Sequence, residues 1–245
     1  MIEGPVPVAE LLAAGADLDE LYVDLDQWAQ MDDRSPIRAL VRDADGVGVP
    51  VWGLTSSVFA SVSDTNAPQG VLALGLRSVT PVNTIATLDG PVLVVVDISD
   101  PGNAGTLIRS AEAAGCAGVV FAGASTDPFG PKAVRAAAGS IVRVPVAEVS
   151  DVEQVLDELR IAGRSLVATV VGGGAAPEST DLSVPIAILV GSEAHGLNAE
   201  VVAQCSSSIT IPMNPAVESM NAAVAGAVVL FEAARQRRHA GSPSK

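Results

Sequence analysis

Five apolar runs rich in β-branched residues constrain the fold of this 245-residue chain more than any other feature. They cover residues 92–98, 119–122, 166–171, 186–190 and 209–211. Helical patterns lie between the first four runs, at residues 104–114 and 152–162. Apolar strands that alternate with helices are typical of a mostly parallel sheet covered on both faces. We therefore predict an α/β domain over residues 89–245.

The first 75 residues have shorter patterns, which predict a separate small α/β unit. Its helix-like and strand-like segments cover residues 6–14, 21–25, 36–42, 49–54 and 71–74. A turn-rich stretch with little periodicity follows from residue 77 to 90. We place a linker at residues 76–88, between a unit of residues 1–75 and the larger domain.

Composition excludes several classes of protein. No apolar run reaches the roughly 18 residues of a membrane span, and the start lacks a basic-then-apolar signal pattern. We therefore expect a soluble, cytoplasmic protein. Cys116 and Cys205 are isolated and the chain has two His, so neither a disulfide framework nor a zinc site is supported. We expect two buried, reduced thiols and no metal.

The net charge of −14 does not favour a nucleic-acid partner, although a binding face needs only a local cluster of cations. Arg34, Arg38 and Arg42 recur at every fourth residue and predict a basic stripe on one helix face. The stripe would suit RNA phosphates. Since four aspartates flank it, a solvated helix face remains the alternative.

Three polar clusters follow the predicted strands. In the first, at residues 97–115, Asn103 is placed to cap a helix beginning near Ala104. Arg109 follows six residues later, and Glu112 lies within reach of it. Taken alone, this cluster is equally compatible with a chemical role and with a purely structural one, in which Asn103 only caps the helix and Arg109 only forms a surface ion pair.

The second cluster covers residues 189–197. Gly191 and Gly196 would let the backbone approach a ligand, and Glu193 supplies a carboxylate at the edge of the sheet. His195 is expected to be a local hydrogen-bonding residue rather than a general base.

The third cluster joins the end of the last strand to a long apolar helix. Ile211 and Met213 end the strand, and Ser219, Met220 and Asn221 open the helix. Apolar side chains beside exposed backbone suit a flat ring such as adenine.

In order and spacing, the three clusters resemble the motifs of the SpoU/TrmH branch of the SPOUT methyltransferase superfamily, over residues 89–245. The resemblance implies a parallel-sheet domain with a C-terminal trefoil knot that binds S-adenosylmethionine. It implies methyl transfer to a ribose 2′-hydroxyl of structured RNA. It also implies a homodimer through the knotted domain, with each site drawing residues from both subunits.

The resemblance also assigns roles to residues of this chain. Arg109 is the implied central catalytic residue, and its implied catalytic partners are Asn103, Glu193, Ser219 and Asn221. The implied cofactor-binding residues are Leu189, Gly191, Gly196, Ile211, Met213 and Met220, the last standing where Leu is usual. Lys132 and Arg135 match an RNA-facing stretch at residues 130–146, for which an ordinary helix with two exposed cations is the alternative.

Residues 1–75 resemble the L30e-type RNA-binding domain of the ribosomal-RNA members, through the pair Glu3-Gly4 ahead of the first helix. The basic arm and first strand that usually precede this pair are expected to be missing. This part of the resemblance favours 23S ribosomal RNA as the substrate. A transfer-RNA 2′-O-methyltransferase is the alternative.

Two other classes of function stay open at this point. Glycines follow strands at residues 118–125 and 170–176, as in nucleotide-dependent oxidoreductases, but neither run gives GxGxxG opening a helix. A catalytically weak RNA- or ribosome-binding protein on the same fold would suit the acidic charge. The retained Asn103, Arg109, Ser219 and Asn221 argue against it.

Overall fold

The computed structural model describes residues 1–240 except positions 64 and 66. Its N-terminal part contains a sheet of four strands, ordered β1-β4-β2-β3. These strands are β1 (Ile2–Glu3), β2 (Leu18–Asp24), β3 (Val51–Leu54) and β4 (Val71–Gly75). The helices are α1 (Pro5–Ala13), α2 (Leu25–Gln30), α3 (Pro36–Gly46) and α4 (Ser56–Val62). β2 and β3 are parallel, whereas β4 is antiparallel to both β1 and β2.

This sheet buries one face against α1 and α3. Leu11 of α1 and Leu40 of α3 share a core with Leu21 of β2. Because side chains alternate along a strand, Tyr22 and its partner Leu72 point to the opposite face. The small α/β unit expected from the sequence is confirmed in its elements, although α2 and α4 were not predicted.

The strand that was expected to be missing ahead of the first helix is present. Ile2–Glu3 pairs with β4, and Glu3 is buried there. The expectation was wrong because a two-residue strand leaves no periodic signal. That residues 1–75 form an L30e-type domain stays a prediction, as do the domain boundaries.

The second part is built on a six-stranded sheet ordered β10-β8-β9-β5-β6-β7. Its strands are β5 (Val92–Val96), β6 (Gly118–Ala122), β7 (Val146–Val149), β8 (Ser165–Thr169), β9 (Ile186–Val190) and β10 (Ser207–Ile209). Its helices are α5 (Val82–Thr87), α6 (Pro101–Ala113), α7 (Pro131–Ala137), α8 (Ser140–Arg143), α9 (Val152–Ile161), α10 (Ala199–Ala203) and α11 (Ala222–Ala240), with a 3-10 turn at Pro177–Ser179.

Every strand pair of this sheet is parallel, as predicted. All residues of β5, β6 and β9 are buried, which is why these strands are uniformly apolar rather than alternating. Their carboxyl ends meet at one edge of the sheet, so the turns that follow them converge there.

The predicted linker at residues 76–88 contains helix α5. Ile85 is fully buried and packs with the core of the larger sheet. The buried guanidinium of Arg164 fixes this region, because it donates to the backbone carbonyls of Ala86, Leu88, Gly90 and Ile186. Most of the expected linker is therefore part of the packed structure.

Two chain segments cross closely beside β10. A Cβ added to Gly174 would lie 2.7 Å from the backbone of both Ile209 and Thr210. The N–H of Thr210 donates to the carbonyl of Ala175 at 2.9 Å. The trefoil knot itself stays a prediction. Within residues 1–63, 65 and 67–240, no helix is both long and apolar enough to span a membrane.

Candidate functional site

The turn after β5 places Asn103 differently from the sequence prediction. Helix α6 begins at Pro101, and its N-cap is Asp100, whose Oδ1 accepts the N–H of Asn103 at 2.9 Å. Pro101 suits the first helical position because its missing N–H would have no partner there. The predicted capping role of Asn103 is therefore wrong, and its side chain is available for other contacts.

The side chain of Asn103 connects the three polar clusters. Its Nδ2 donates to Oε1 of Glu193 at 2.8 Å, and its Oδ1 accepts from Nδ2 of Asn221 at 3.0 Å. The backbone N–H of Ser99 donates to Oε2 of Glu193, and that of Asp100 donates to Oε1, each at 3.4 Å. Segments about 90 residues apart or more are thus joined by one hydrogen-bonded chain.

The environment of Glu193 keeps it charged. Burial alone would raise the pKa of this carboxyl, but hydrogen bonds from Asn103 and from the N–H groups of Ser99 and Asp100 outweigh burial. The pKa is therefore held below its usual range. At neutral pH the site contains one fixed negative charge.

Asn221 also caps the last helix. Its Oδ1 accepts the N–H groups of Ala223 at 3.0 Å and Val224 at 3.1 Å. The same side chain therefore holds the start of α11 and bonds Asn103 through its Nδ2. Ser219 lies two residues earlier, exposed to solvent.

Arg109 is exposed on α6, six residues after Asn103. Among the residues that the structure describes, no hydrogen bond or ion pair involves its guanidinium. Glu112 pairs instead with Arg143, with Nη2 and Oε2 2.9 Å apart. The predicted pairing of Glu112 with Arg109 is therefore wrong, and the cation is available to a ligand.

A cavity of about 240 Å³ lies between the ends of β8, β9 and β10. Five of the six expected cofactor-binding residues line it, namely Gly191, Gly196, Ile211, Met213 and Met220. Glu193 and Ser219 line it too. Leu189 does not, because its side chain is fully buried in the core of the sheet. Its carbonyl accepts the Thr169 hydroxyl at 2.8 Å.

The turn after β9 needs glycine at residue 191. A Cβ there would lie 2.2 Å from the carbonyl carbon of Gly196. Backbone hydrogen bonds between Ser192 and Gly196, at 2.9 and 3.2 Å, close the turn. The N–H of His195 donates to the Ser192 hydroxyl at 3.2 Å. A tight, preformed turn therefore makes one wall of the cavity.

The sequence reasoning missed the cavity wall after β8. Thr169, Val170 and Val171 line the cavity, as does Ala225 of α11. The available signal was the run of three glycines at residues 172–174, which allows close chain crossing.

The expected RNA-contacting cations fall into two groups. Arg34 precedes α3, so only Arg38 and Arg42 share that helix and the predicted three-residue stripe is wrong. The Cζ atom of Arg38 lies 4.4 Å from the centre of the Trp28 ring, and Nη2 of Arg38 donates to the backbone carbonyl of Trp28. Farther along the chain, Nζ of Lys132 pairs with Oδ2 of Asp100 at 3.0 Å. Arg135 is exposed on α7.

The two cysteines are free thiols and only partly buried. Burial raises the pKa of Cys116 to about 12 and that of Cys205 to about 11. Neither thiol is activated as a nucleophile.

Known proteins are similar to this chain in both sequence and fold. The sequence profile described as "SpoU rRNA Methylase family" matches residues 90–231. An uncharacterized tRNA/rRNA methyltransferase of Mycobacterium ulcerans is 35% identical, over 96% of this chain and 76% of the relative. The 23S rRNA (guanosine(2553)-2'-O)-methyltransferase RlmP of Bacillus subtilis is 32% identical, over 75% of this chain and 72% of RlmP.

A solved structure gives the corresponding match of the fold. The SpoU methyltransferase AviRb from Streptomyces viridochromogenes, in complex with the cofactor AdoMet, superposes with a TM-score of 0.81. The two proteins are 28% identical, and the match covers 97% of this chain and 89% of AviRb.

Proposed function

Because the chain belongs to the SpoU rRNA methylase family, we propose that it transfers a methyl group from S-adenosylmethionine to a ribose 2′-hydroxyl of 23S ribosomal RNA. The observation that carries this proposal is the hydrogen-bonded chain from Asn221 through Asn103 to Glu193, beside the cavity. The relative RlmP is named for this reaction on this RNA. An enzyme of ribosomal RNA would act in the cytoplasm.

The cavity fits S-adenosylmethionine chemically. Val190, Ile211 and Met220 supply apolar wall for the adenine ring, and the strand-end turns supply backbone groups for its polar edge. Glu193 places its negative charge at the same cavity, where it attracts a positively charged sulfonium. When bound, the cofactor supplies a methyl group that is already activated for transfer to a weak nucleophile.

The protein's own task is to align the ribose hydroxyl and to manage its proton. A guanidinium stays protonated at neutral pH, so Arg109 is a poor base. It instead holds the phosphate next to the target ribose and stabilises negative charge developing on the hydroxyl oxygen. The proton then passes to phosphate or water. Asn103 and Asn221 act through position, because they hold Glu193 and the start of α11 together.

RNA would bind through exposed arginines that form no ion pair with a carboxylate among the described residues. Arg34, Arg42, Arg109 and Arg135 are exposed, and none has a carboxylate partner within the described part of the chain. In a chain of net charge −14, phosphate affinity has to come from such positions. Lys132 would have to exchange Asp100 for phosphate, so we expect it to contribute less.

We also propose that two copies pair through α11. One face of this helix packs on the sheet and on α6, whereas Val224, Val228 and Phe231 are 49%, 40% and 48% exposed. Their spacing of four and three residues places them on one side of the helix. An apolar stripe of this kind is typical of a surface covered by another protein, and a second copy supplies the same stripe.

The proposed function is tested with radiolabelled S-adenosylmethionine and total RNA from a strain that lacks this gene. The RNA is digested to nucleosides and the label is located. We expect label in a 2′-O-methyl nucleoside of 23S RNA, and loss of at least about a hundredfold in rate for Arg109→Ala. Arg160→Ala, which removes an exposed cation from α9, serves as the matched control.

Three outcomes would contradict the proposal. Label on a base would exclude the ribose as the acceptor, and label only in transfer RNA would exclude the ribosomal substrate. Cofactor binding without any label would support a catalytically weak RNA-binding protein instead.

A further inference from the structure

An exposed aromatic edge on the first sheet has no part in the methyl-transfer site. Within the described residues, β3 pairs only with β2, so its other edge is open. Trp52 of β3 is 54% exposed. It lies directly opposite Tyr22 of β2, and both side chains therefore point to the same face.

The part of the chain that contains this face is strongly acidic. Residues 1–75 contain twelve acidic residues and three arginines, a net charge of −9, and no Lys or Arg lies between Arg42 and Arg77. Glu20 shares the face with Tyr22 and accepts its hydroxyl hydrogen bond.

Two of the three arginines of this part lie on the opposite side of the sheet. Arg38 and Arg42 lie on α3, whose Ile37 and Leu40 pack with Leu21 on the buried face. An RNA strand stacked on Trp52 would therefore find neither Arg38 nor Arg42 on this sheet face for its phosphates, and it would meet repulsion from the carboxylate of Glu20.

We propose that this face docks an extended, Lys- and Arg-rich protein segment. The segment adds a strand to the open edge of β3 and places a cationic side chain against the ring of Trp52. The carboxylate of Glu20 and the net negative charge of residues 1–75 attract the remaining positive charges. The partner is thus distinguished from RNA by the sign of its charge, and the docking does not depend on methyl transfer.

The test measures fluorescence anisotropy of a labelled peptide of alternating arginine and valine, titrated with the full-length chain at low and high salt. A peptide of alternating glutamate and valine is the charge control. We expect Trp52→Ala to weaken binding about tenfold, and Trp52→Phe to keep most of the affinity because it retains an aromatic ring. Val47→Ala, which alters an exposed apolar residue elsewhere, should bind as the wild type does.

Binding of the basic peptide that weakens with salt and with Trp52→Ala supports the docking surface. Absence of peptide binding, or equal binding by wild type and Trp52→Ala, overturns it. If Trp52→Ala weakens the binding of a 23S RNA fragment rather than that of the peptide, the face belongs to the RNA-binding surface. Thermal melting of each variant verifies that the half-exposed ring can be removed without unfolding the chain.

Discussion

Asn103 occupies a position where one side chain must both donate and accept a hydrogen bond. Its oxygen accepts from Asn221 while its nitrogen donates to Glu193. A carboxylate offers no donor at neutral pH, and an ammonium offers no acceptor. The geometry of this one side chain therefore determines whether the turns after β5 and β9 and the start of α11 stay aligned.

Replacing Asn103 by Asp tests this role, because the shape is kept while the donor is lost. The variant also places a second carboxylate at hydrogen-bond distance from Glu193, which adds repulsion. We expect methyl transfer to fall by about tenfold to a hundredfold, which corresponds to a lost charge-assisted hydrogen bond of about 1.5–3 kcal/mol. Calorimetric titration with S-adenosylmethionine and the initial rate of label transfer measure the effect.

Asn83→Asp is the matched control, since it makes the same chemical change on the exposed surface of α5. It should leave cofactor affinity and rate unchanged. Wild-type rates for Asn103→Asp would mean that the hydrogen-bonded chain has no part in the reaction.

At the scale of elements, the close packing of α6 against α7 restricts the size of the side chains between these two helices. A Cβ on Gly105 would lie 2.3 Å from the carbonyl oxygen of Ala133 and 2.6 Å from the Cβ of Ala136. Glycine is therefore required in the middle of α6 despite its low helix propensity. The same helix carries Asn103 and Arg109, so its packing also positions the site.

We expect Gly105→Ala to lower the free energy of unfolding by about 1–3 kcal/mol, because overpacking forces the two helices apart. The control is Gly46→Ala at the end of α3, where an added Cβ meets nothing within 4 Å. That change should be neutral or stabilise the protein by about 0.4–1 kcal/mol. Urea unfolding measures both variants, and equal stability of the two would refute close packing at Gly105.

The sequence predicted elements well where the pattern is local. The buried strands β5 and β9 are recognisable as apolar runs, whereas β7 contains Glu148 and its last two residues are only partly buried, so it shows no such run. Helix α5 was missed because six residues give too few turns for a clear period. Such short elements are held by tertiary contacts. Here Arg164 donates hydrogen bonds to backbone carbonyls at the end of α5.

The site was predictable only in part, for a related reason. Parallel topology brings the turns after β5 and β9 together, and the family resemblance supplied the roles. The details depend on contacts between distant segments. Asp100 rather than Asn103 caps α6, and the wall at Thr169 exists only because the chain crosses back beside β10.

At the scale of the whole molecule, charge and apolar surface are divided between regions. Residues 1–75 carry a net charge of −9, compared with −5 for the rest of the chain. The exposed cations Arg109 and Arg135 lie on α6 and α7, and the exposed apolar stripe lies on α11. A second subunit would therefore approach the larger domain, and RNA would contact Arg109 and Arg135 there in addition to Arg34 and Arg42 of the first part.

Pairing through α11 should be abolished by a charge in the stripe. Phe231→Glu places a carboxylate where the two helices would meet, and an unpaired buried charge is strongly unfavourable. We expect the wild type to sediment as a dimer and Phe231→Glu as a folded monomer with strongly reduced methyl transfer. Ile161→Glu alters an 87% exposed side chain on α9 and should remain dimeric and active. A fully active Phe231→Glu monomer would show that one subunit forms a complete site.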